Sequence, residues 1–171
     1  MLLYAVALTI LFLDQLSKLI IQRTFTLHQT IPVVQGFFDI TYVLNPGAAF
    51  GFLAGSGAAL RNPFFIGISL LAILLILIYH HKYAKGGIYP TFALAFILGG
   101  AAGNLIDRLR LGRVVDFLDF HLYQYHWPAF NLADTAIVIG AALLLLEMLG
   151  DWRREYRARR EKASKGPKSQ A

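Results

Sequence analysis

Apolar residues are gathered into four long runs, at 2–21, 63–79, 88–109 and 129–149. Each run is long enough for an α-helix to cross a hydrocarbon core of about 30 Å. The first run lacks the basic start and the small-residue cleavage site of a signal peptide, so we expect it to remain as a helix. Asn62-Pro63, before the second run, is typical of a helix start. The pattern therefore predicts an all-α membrane protein with four transmembrane helices.

The segment 22–61 mixes polar and apolar residues and is too interrupted to span a membrane. Val33-Val34 and the run 37–44 are rich in β-branched and aromatic residues, which favour short strands. The sequence NPGAAFGFLAGSG at 45–57 combines turn formers with small and aromatic residues. We expect it to turn sharply and to lie along the membrane surface.

Composition agrees with a membrane protein and excludes several kinds of chemistry. Hydrophobic residues make up 57% of the chain and charged residues 15%, which is too apolar for a typical soluble domain. The sequence has no cysteine, and therefore no thiol nucleophile and no thiolate metal site. Of the net charge of +6, the tail 151–171 supplies +5, so the body of the protein offers no basic face for nucleic acid. We expect residues 1–150 to form one domain and the tail to be disordered.

The basic residues also predict the orientation in the membrane. The 80–87 connection and the tail together hold ten Lys and Arg residues, and in a four-helix protein both lie on the same side. By the positive-inside rule that side is cytoplasmic. Both termini are therefore expected inside, and the segments 22–61 and 110–128 outside. Five arginines fall on the outer side, so the excess of Lys and Arg on the cytoplasmic side is clear but not complete.

In this topology, the polar residues within and beside the runs converge on the outer third of the bilayer. Asp14 is about seven residues below the outer end of the first helix, or about 11 Å at 1.5 Å per residue. The other members lie near the outer ends of the first, third and fourth helices. The full set is Asp14, Lys18, Asn104, Asp107, Arg108, Asp116, Asn131 and Asp134. One outward-facing site accounts for all of them, because charges at membrane depth are costly unless paired or functional.

Most members of this set also have a purely structural interpretation. Asp14 and Lys18 are four residues apart and can neutralise each other as an ion pair. Asp107 with Arg108 fits a cap at the membrane interface, which we favour over a catalytic role. The asparagines of the set can join helices by hydrogen bonds, and GGAAGN at 99–104 places small residues where another helix can approach closely.

Asp116 and Asp134 are the pair for which a structural role explains least, because no cation is equally well placed to neutralise each. Asp119, nearby in sequence, is expected to be a solvated loop residue. Two carboxylates held together share one proton. One can then accept a proton from water while the other protonates a peptide carbonyl oxygen. The sequence contains neither an HExxH metal motif nor a GxSxG nucleophile motif.

Five motifs together resemble the ordered motif set of the bacterial lipoprotein signal peptidases, the type II signal peptidases. They are DQLSK at 14–18, NPGAAF at 45–50, GGAAGNLIDR at 99–108, VVDF at 114–117 and FNLAD at 130–134. The match covers residues 14–134 in the right order. The resemblance implies an aspartic endopeptidase of the bacterial inner membrane with its active site near the periplasmic face. It also implies a small periplasmic β-cradle over the four helices, which we expect segment 22–61 to form.

The resemblance further implies a role for each polar residue of the set. Asp116 and Asp134 would be the catalytic pair. The supporting or substrate-positioning residues would be Asp14, Lys18, Asn45, Asn104, Asp107, Arg108 and Asn131. Asp14 is expected to be structural, while Asn45 and Asn131 are expected to position the site or the substrate. The sequence does not decide whether Lys18 and Arg108 hold the fold or orient the carboxylates.

The substrates that the resemblance implies are diacylglyceryl-modified prolipoproteins, cleaved on the amino side of the lipidated cysteine. Membrane lipid is the other expected partner; no cofactor, metal or nucleic acid is expected, and we expect a monomer. Without the resemblance, the alternative is a small proton-coupled transporter, since paired carboxylates also serve proton relays. A transporter needs polar groups along its whole path, whereas these stop at the outer third. A membrane scaffold, the third reading, leaves the buried charges unexplained.

Overall fold

The computed structural model describes residues 1–47, 58–82 and 87–164, and these residues form four long helices and four strands. In chain order the elements are α1 (Leu2–Thr24), β1 (Thr30–Val34), β2 (Phe38–Asn45), α2 (Ala58–Lys82), α3 (Ile88–Leu111), β3 (Val114–Leu122), β4 (Tyr125–His126) and α4 (Leu132–Ser164). Within the described residues, all four helices are long and apolar enough to cross a membrane. The predicted architecture of four transmembrane helices with a small β-sheet is confirmed.

The helix α3 is the centre of the bundle and packs against α1, α2 and α4. Half of its apolar span is buried, compared with 11% of the span of α2. The outward face of α2 carries leucines such as Leu70, Leu71, Leu74 and Leu75, which are all more than half exposed. Such a continuous apolar surface suits contact with lipid tails rather than water.

Small residues let α3 approach its neighbours closely, as the 99–104 pattern predicts. A Cβ atom on Gly99 would lie 2.7 Å from the Ala7 carbonyl oxygen of α1. A Cβ atom on Gly100 would overlap the Ala133 carbonyl oxygen of α4. Both neighbours are backbone atoms, which cannot move aside as a flexible side chain can. Glycine at these positions therefore fixes the spacing of the three helices that carry most of the polar set.

The four strands form one antiparallel sheet in the order β1-β2-β3-β4. In the pairing of β2 with β3, Val43 lies opposite Asp116 and Asn45 lies opposite Val114. Because side chains alternate between the faces of a sheet, Asn45 and Asp116 are diagonal neighbours on the same face. An apolar cluster of Ile21, Val115 and Phe117 lies where the sheet meets α1.

The helices α1 and α3 each have one end at the sheet, because both lead into strands and pack against β3, and α4 follows β4 within a few residues. Gly112 ends α3 in the left-handed conformation, with φ of 67°, and its N–H donates to the Arg108 carbonyl oxygen at 3.0 Å. Glycine adopts this conformation at little cost. The chain can therefore turn directly from α3 into β3, which keeps Asp116 next to the end of the bundle.

Two features of the sheet region differ from the sequence predictions. The segment 110–128, expected as a loop, contains β3 and β4, so the prediction that Asp119 is a solvated loop residue is wrong. Asp119 is half-buried in β3, opposite Asp39 of β2. The sheet therefore draws on both outer segments, whereas only 22–61 was expected to supply it. The expected surface turn at 45–57 lies, after Gly47, outside the described residues.

Two helix boundaries also differ. The helix α2 begins at Ala58, so the prediction of a start at Asn62-Pro63 is wrong; the good helix formers 58–60 extend the helix before the proline. The helix α4 continues to Ser164, so the expected disorder does not apply to residues 151–164. Ion pairs one turn apart, such as Arg154 with Asp151, support this extension.

Candidate active site

Asp116 and Asp134 lie where the sheet meets the helices. Asp116 is the third residue of β3, and Asp134 is in the first turn of α4. The Asp116 side chain is almost fully buried, with 1% exposure, whereas Asp134 is half-buried and lines a cavity. The two are near enough for the charge of Asp134 to act on the ionisation of Asp116. The structure thus brings together the two carboxylates that the sequence analysis paired.

Asparagine side chains contact both oxygens of Asp116. Asn45 Nδ2 donates to Oδ2 at 2.8 Å, and Asn131 Nδ2 donates to Oδ1 at 2.7 Å. The orientation of the Asn45 amide is fixed because its Oδ1 accepts the Gly47 N–H at 2.8 Å. Asn131 Nδ2 also faces the Val115 carbonyl oxygen at 3.2 Å. The Asp116 carboxylate is therefore held in one position from both sides.

Asp134 is held by the start of its own helix and by α3. Asn131 Oδ1 accepts the Asp134 backbone N–H at 2.9 Å, which is the contact of a helix N-cap. The Asn104 amide of α3 donates from Nδ2 to Asp134 Oδ1 at 2.7 Å. One asparagine, Asn131, therefore both caps the helix that carries Asp134 and bonds the carboxylate of Asp116.

A buried ion cluster lies behind these asparagines. The Lys18 ammonium lies 2.9 Å from Asp14 Oδ2 and 2.8 Å from Asp107 Oδ2, and it donates to Asn104 Oδ1 at 3.0 Å. Gln15 Nε2 also donates to both of these aspartates, at 3.2 and 3.1 Å. The side chains of the three charged residues are at most 3% exposed. The ion pair of Asp14 with Lys18 is confirmed, with Asp107 as a second carboxylate.

Asp14 and Asp107 also bind backbone groups of the neighbouring elements. Asp14 Oδ1 accepts the Ala133 N–H of α4 at 2.9 Å, and Asp107 Oδ2 accepts the Val115 N–H of β3 at 3.2 Å. Asp107 is therefore a buried crosslink between α3 and β3. The prediction that it forms an interfacial cap with Arg108 is wrong.

The ionisation of Asp116 is strongly perturbed. Burial, followed by the negative charge of Asp134, raises the pKa of Asp116 to about 7. The hydrogen bonds from Asn45 and Asn131 and the charge of Lys18 act in the opposite direction and are smaller. Near neutral pH, Asp116 therefore exchanges a proton readily, as a group engaged in acid–base catalysis must.

Arg108 faces the pair without forming an ion pair with it. Its Nη1 lies 3.4 Å from both Ser69 Oγ and the Asn104 carbonyl oxygen, and its guanidinium lies 5.3 Å from the centre of the Phe65 ring. Of the described residues, no Lys, Arg or His lies within ion-pair distance of Asp116 or Asp134. Arg108 contributes positive potential to the site. Its guanidinium has five N–H donors, more than its contacts with the described residues use.

A cavity of about 530 Å³ opens beside Asp134. Arg108 and Asn45 supply polar groups to its wall, and most of the remaining wall is apolar. Val138 and Ile139 of α4 line the cavity, and they are also 67% and 42% exposed on the outer surface of the helix. The cavity therefore reaches from Asp134 to the outer surface of α4.

The residues selected from the motifs all lie in one connected region of the structure. The selection omitted Gln15, which belongs to the same region. Gln15 is adjacent to Asp14 in sequence and bonds both acidic members of the ion cluster. Its position within DQLSK, on a helix face shared with Lys18 three residues later, was the available signal. The sequence also gave no sign that Ser69 of α2 reaches Arg108.

This arrangement can support hydrolysis by a carboxylate pair. One carboxylate is open to a cavity, its partner titrates near neutral pH, and asparagines fix both in position. Across the part of the chain that the structure describes, no group of three or more His, Asp or Glu side chains is arranged to hold a metal ion. A carboxylate pair of this kind can exchange protons with a water molecule.

Comparisons with known proteins show one family to which this chain is similar. The model of the family described as "Signal peptidase (SPase) II" matches residues 6–150. A lipoprotein signal peptidase of Syntrophus aciditrophicus is 50% identical over 140 residues, which cover 82% of this chain and 87% of the relative. The lipoprotein signal peptidase of Geobacter sulfurreducens is 50% identical over 151 residues, covering 88% and 93%.

Solved structures show the same fold. A bacterial membrane enzyme structure obtained by the in meso method at 2.3 Å resolution aligns with a TM-score of 0.76 and 29% identity, covering 98% of this chain and 92% of the other. A second bacterial membrane enzyme, at 1.9 Å, aligns with a TM-score of 0.76 and 33% identity, covering 86% and 92%.

Proposed function

This chain belongs to the signal peptidase II family, and we propose that it removes signal peptides from diacylglyceryl-modified prolipoproteins with Asp116 and Asp134 as its catalytic pair. Cleavage takes place on the amino side of the lipidated cysteine, as the motif resemblance implies. The observation that carries the proposal is the buried Asp116, with a pKa of about 7, coupled to an Asp134 that opens to a cavity.

The two carboxylates divide the proton transfers between them. Asp134 lines the cavity and takes a proton from a water molecule, whose oxygen attacks the carbonyl carbon of the peptide bond. Asp116 supplies a proton to the carbonyl oxygen, which neutralises the charge that develops there. The tetrahedral intermediate then collapses, and the amine of the lipidated cysteine leaves with a proton from the pair. Asn45, Asn104 and Asn131 keep both carboxylates in place throughout.

The substrate reaches the site from the bilayer. A signal peptide is an apolar helix, and the diacylglyceryl group is a lipid, so both partition into the membrane. The exposed positions of Val138 and Ile139 make the wall of the cavity continuous with the lipid-facing surface of α4. Arg108 offers a cationic donor beside this entry.

The protein lies in the bacterial inner membrane with both termini in the cytoplasm and the site near the periplasmic face. The distribution of Lys and Arg supports this orientation, since the 80–87 connection and the 151–171 tail hold most of them. One chain supplies every residue of the proposed site, so a monomer in contact with membrane lipid is sufficient for the reaction.

Labelling of single cysteines tests the orientation. The sequence contains no cysteine, so Leu27→Cys and Arg153→Cys each introduce a unique thiol at an exposed position. A membrane-impermeant thiol reagent added to intact spheroplasts is expected to label Leu27→Cys and not Arg153→Cys. Both variants are expected to label after the membrane is permeabilised. Labelling of Arg153→Cys in intact spheroplasts contradicts the proposed orientation.

Cleavage by an Asp134→Asn variant tests the catalytic proposal. Loss of the base is expected to lower cleavage of a diacylglyceryl-modified precursor by about 10²- to 10⁴-fold, the usual contribution of acid–base catalysis. Asp119→Asn is the matched control, because Asp119 lies in the same strand as Asp116 but bonds His126 rather than the site. That control is expected to stay within about twofold of the unmodified protein.

The same assay separates the competing functions. Cleavage of the lipidated precursor in preference to its unlipidated form is expected for a lipoprotein signal peptidase. A transporter or a scaffold cleaves neither precursor. Full activity in Asp134→Asn contradicts the two-carboxylate mechanism, even if the lipidated precursor is cleaved by the unmodified protein.

A further inference from the structure

Lys18 makes three polar contacts with the residues that the structure describes, and two of them are ion pairs. The third is with Asn104 Oδ1, at 3.0 Å. An ammonium group has three N–H donors and no acceptor, so the contacts with Asp14, Asp107 and Asn104 use its whole capacity. The side chain is 2% exposed, which leaves little room for water to substitute for any partner. A lysine required only for charge balance needs no contact with an amide.

The contact with Lys18 fixes which way the Asn104 amide faces. Because the ammonium can only donate, Asn104 must turn its Oδ1 towards Lys18. Its Nδ2 then necessarily faces Asp134, where it donates to Oδ1 at 2.7 Å. Asn131 Nδ2 approaches the same Asn104 oxygen at 3.3 Å and favours the same orientation by a longer contact. A reversed amide would place its oxygen against the Asp134 carboxylate, and this is favourable only when Asp134 carries a proton.

We propose that Lys18 is a positioning residue that acts through the Asn104 amide to keep Asp134 as the deprotonated member of the carboxylate pair. The inference rests on the proposed function, because it explains how Asp134 is kept as the base of that reaction. It gives the ion cluster a catalytic consequence besides its structural one. Hydrogen bonds to an ionised group are among the stronger ones in proteins, so the effect of one such bond on protonation is large enough to measure.

Other charged groups act on the pair, and they do not replace the contact through Asn104. Asp116 faces Asp134 from β3 and disfavours a second negative charge, while Arg108 of α3 favours negative charge on either carboxylate. Lys18 itself also acts on Asp116 through its charge. Asp14 and Asp107 surround the ammonium and offset part of its field. Any test must therefore separate the orientation of the amide from the net charge of the cluster.

A charge-matched double variant makes this separation. Lys18→Met alone leaves two buried carboxylates without their cation and is at risk of not folding. Lys18→Met with Asp14→Asn removes one positive and one negative charge, so the cluster keeps its net charge of –1. Asn at position 14 retains an oxygen that can accept the Ala133 N–H. What is lost in this variant is the donor that holds the oxygen of Asn104.

The measurement is kcat and KM against pH for cleavage of a lipidated precursor by the full-length protein in lipid bicelles. With the charge-matched variant, the acidic limb of the kcat profile is expected to move to higher pH by about one unit, with KM within about twofold. If the acidic limb of the kcat profile does not move, the proposal is overturned, and the role of Lys18 is limited to balancing the charges of the cluster.

Gln15→Leu is the structural control. Gln15 bonds Asp14 and Asp107 but is not bonded to Asn104. Its removal is expected to lower the thermal midpoint while leaving the acidic limb in place. If the acidic limb moves by the same amount in Gln15→Leu, general damage to the ion cluster is sufficient to move it. That result overturns the proposal.

Asn104→Leu provides a second route that keeps Lys18 and both aspartates. It is expected to move the acidic limb in the same direction, and adding the charge-matched pair to it is expected to move the limb no further. If the pH shifts of Asn104→Leu and of the charge-matched pair add up in the combined variant, Lys18 does not act through Asn104. If the unmodified protein cleaves no lipidated precursor, the proposed function itself fails, and that outcome is distinct from a profile that does not change.

Discussion

Replacing Asp116 with Asn is expected to lower peptide hydrolysis by orders of magnitude and, at the same time, to stabilise the folded protein at and above neutral pH. The variant keeps the shape of the side chain but removes its proton exchange. We expect cleavage of a lipidated precursor to fall by about 10²- to 10⁴-fold. The stability gain follows from burial: ionised Asp116 is 1% exposed and faces a second carboxylate.

The sign of the pH dependence follows from the pKa of Asp116. Burial raises it from 3.8 to about 7 in the folded protein. Between these values the folded state binds more protons than the unfolded state, so the stability of the unmodified protein falls as pH rises from about 4 to about 7. The Asn variant does not lose this stability. Its advantage is therefore greatest above pH 7 and disappears near pH 4.

The expected gain is modest because Asn also costs a hydrogen bond. A shift of this size corresponds to roughly 4 kcal/mol. The amide group of Asn would face either Asn45 or Asn131 with its own N–H donors, which offsets about 1 to 2 kcal/mol. A net gain of roughly 2 to 3 kcal/mol at pH 8 remains, to be measured as a rise in thermal midpoint in detergent.

Thermal scans at pH 4 and pH 8, paired with the cleavage assay, check both parts of this prediction. Asp119→Asn is again the control: because it removes a carboxylate partner of His126, it is expected to lower the midpoint at pH 4 and not to raise it at pH 8. Retained cleavage in Asp116→Asn means that Asp116 is not catalytic. A thermal midpoint that is unchanged at pH 8 contradicts the explanation based on buried charge.

Gly100→Ala is expected to destabilise the bundle and to impair the site from outside it. The added methyl group would overlap the Ala133 carbonyl oxygen and lie 2.8 Å from Ile137 Cγ1. Both neighbours belong to α4, so this helix must move away from α3. Overpacking of this kind costs about 1 to 3 kcal/mol. Asp134 follows Ala133 directly, and a displacement of about 1 Å of a catalytic group can lower kcat about 10²-fold.

Gly67→Ala is the matched control for this prediction. Gly67 is inside α2, and a Cβ atom there would meet nothing within 4 Å. Its replacement is expected to leave cleavage unchanged and to stabilise the helix by at most about 1 kcal/mol. The thermal midpoint and kcat of both variants check the prediction. Equal behaviour of the two variants would show that the close contact of α3 with α4 does not set the geometry of the site.

Much of the architecture follows from local patterns in the sequence. The four helices follow from apolar runs of membrane-spanning length, because a lipid environment requires both apolar side chains and internal backbone hydrogen bonding. The gathering of the polar set at one end of the bundle follows from alternating helix direction. The five motifs then selected Asp116, Asp134 and their asparagine neighbours. Each of these inferences depends on residue type and spacing along a single segment.

Other features depended on partners far apart in the chain. The strand β3 was not predicted, because its pairing partner β2 lies about 70 residues earlier in sequence, and strand formation depends on such partners. The helical extension of α4 beyond residue 150 was also missed, because charge suggested a tail while its ion pairs one turn apart favour a helix. These errors concern the surroundings of the site rather than its members.

The sequence by itself determined the four spans, the residues of the polar set and the end of the bundle at which they gather. Only the tertiary structure decided how they are connected: that Asp107 joins Lys18 rather than capping a helix, that Gln15 completes the ion cluster, and that Asn104 faces Asp134 with its amide nitrogen. The physical reason is that hydrogen bonds depend on direction and on distances of about 3 Å. Such distances are set where three helices and a sheet pack together, and no spacing within one helix specifies them.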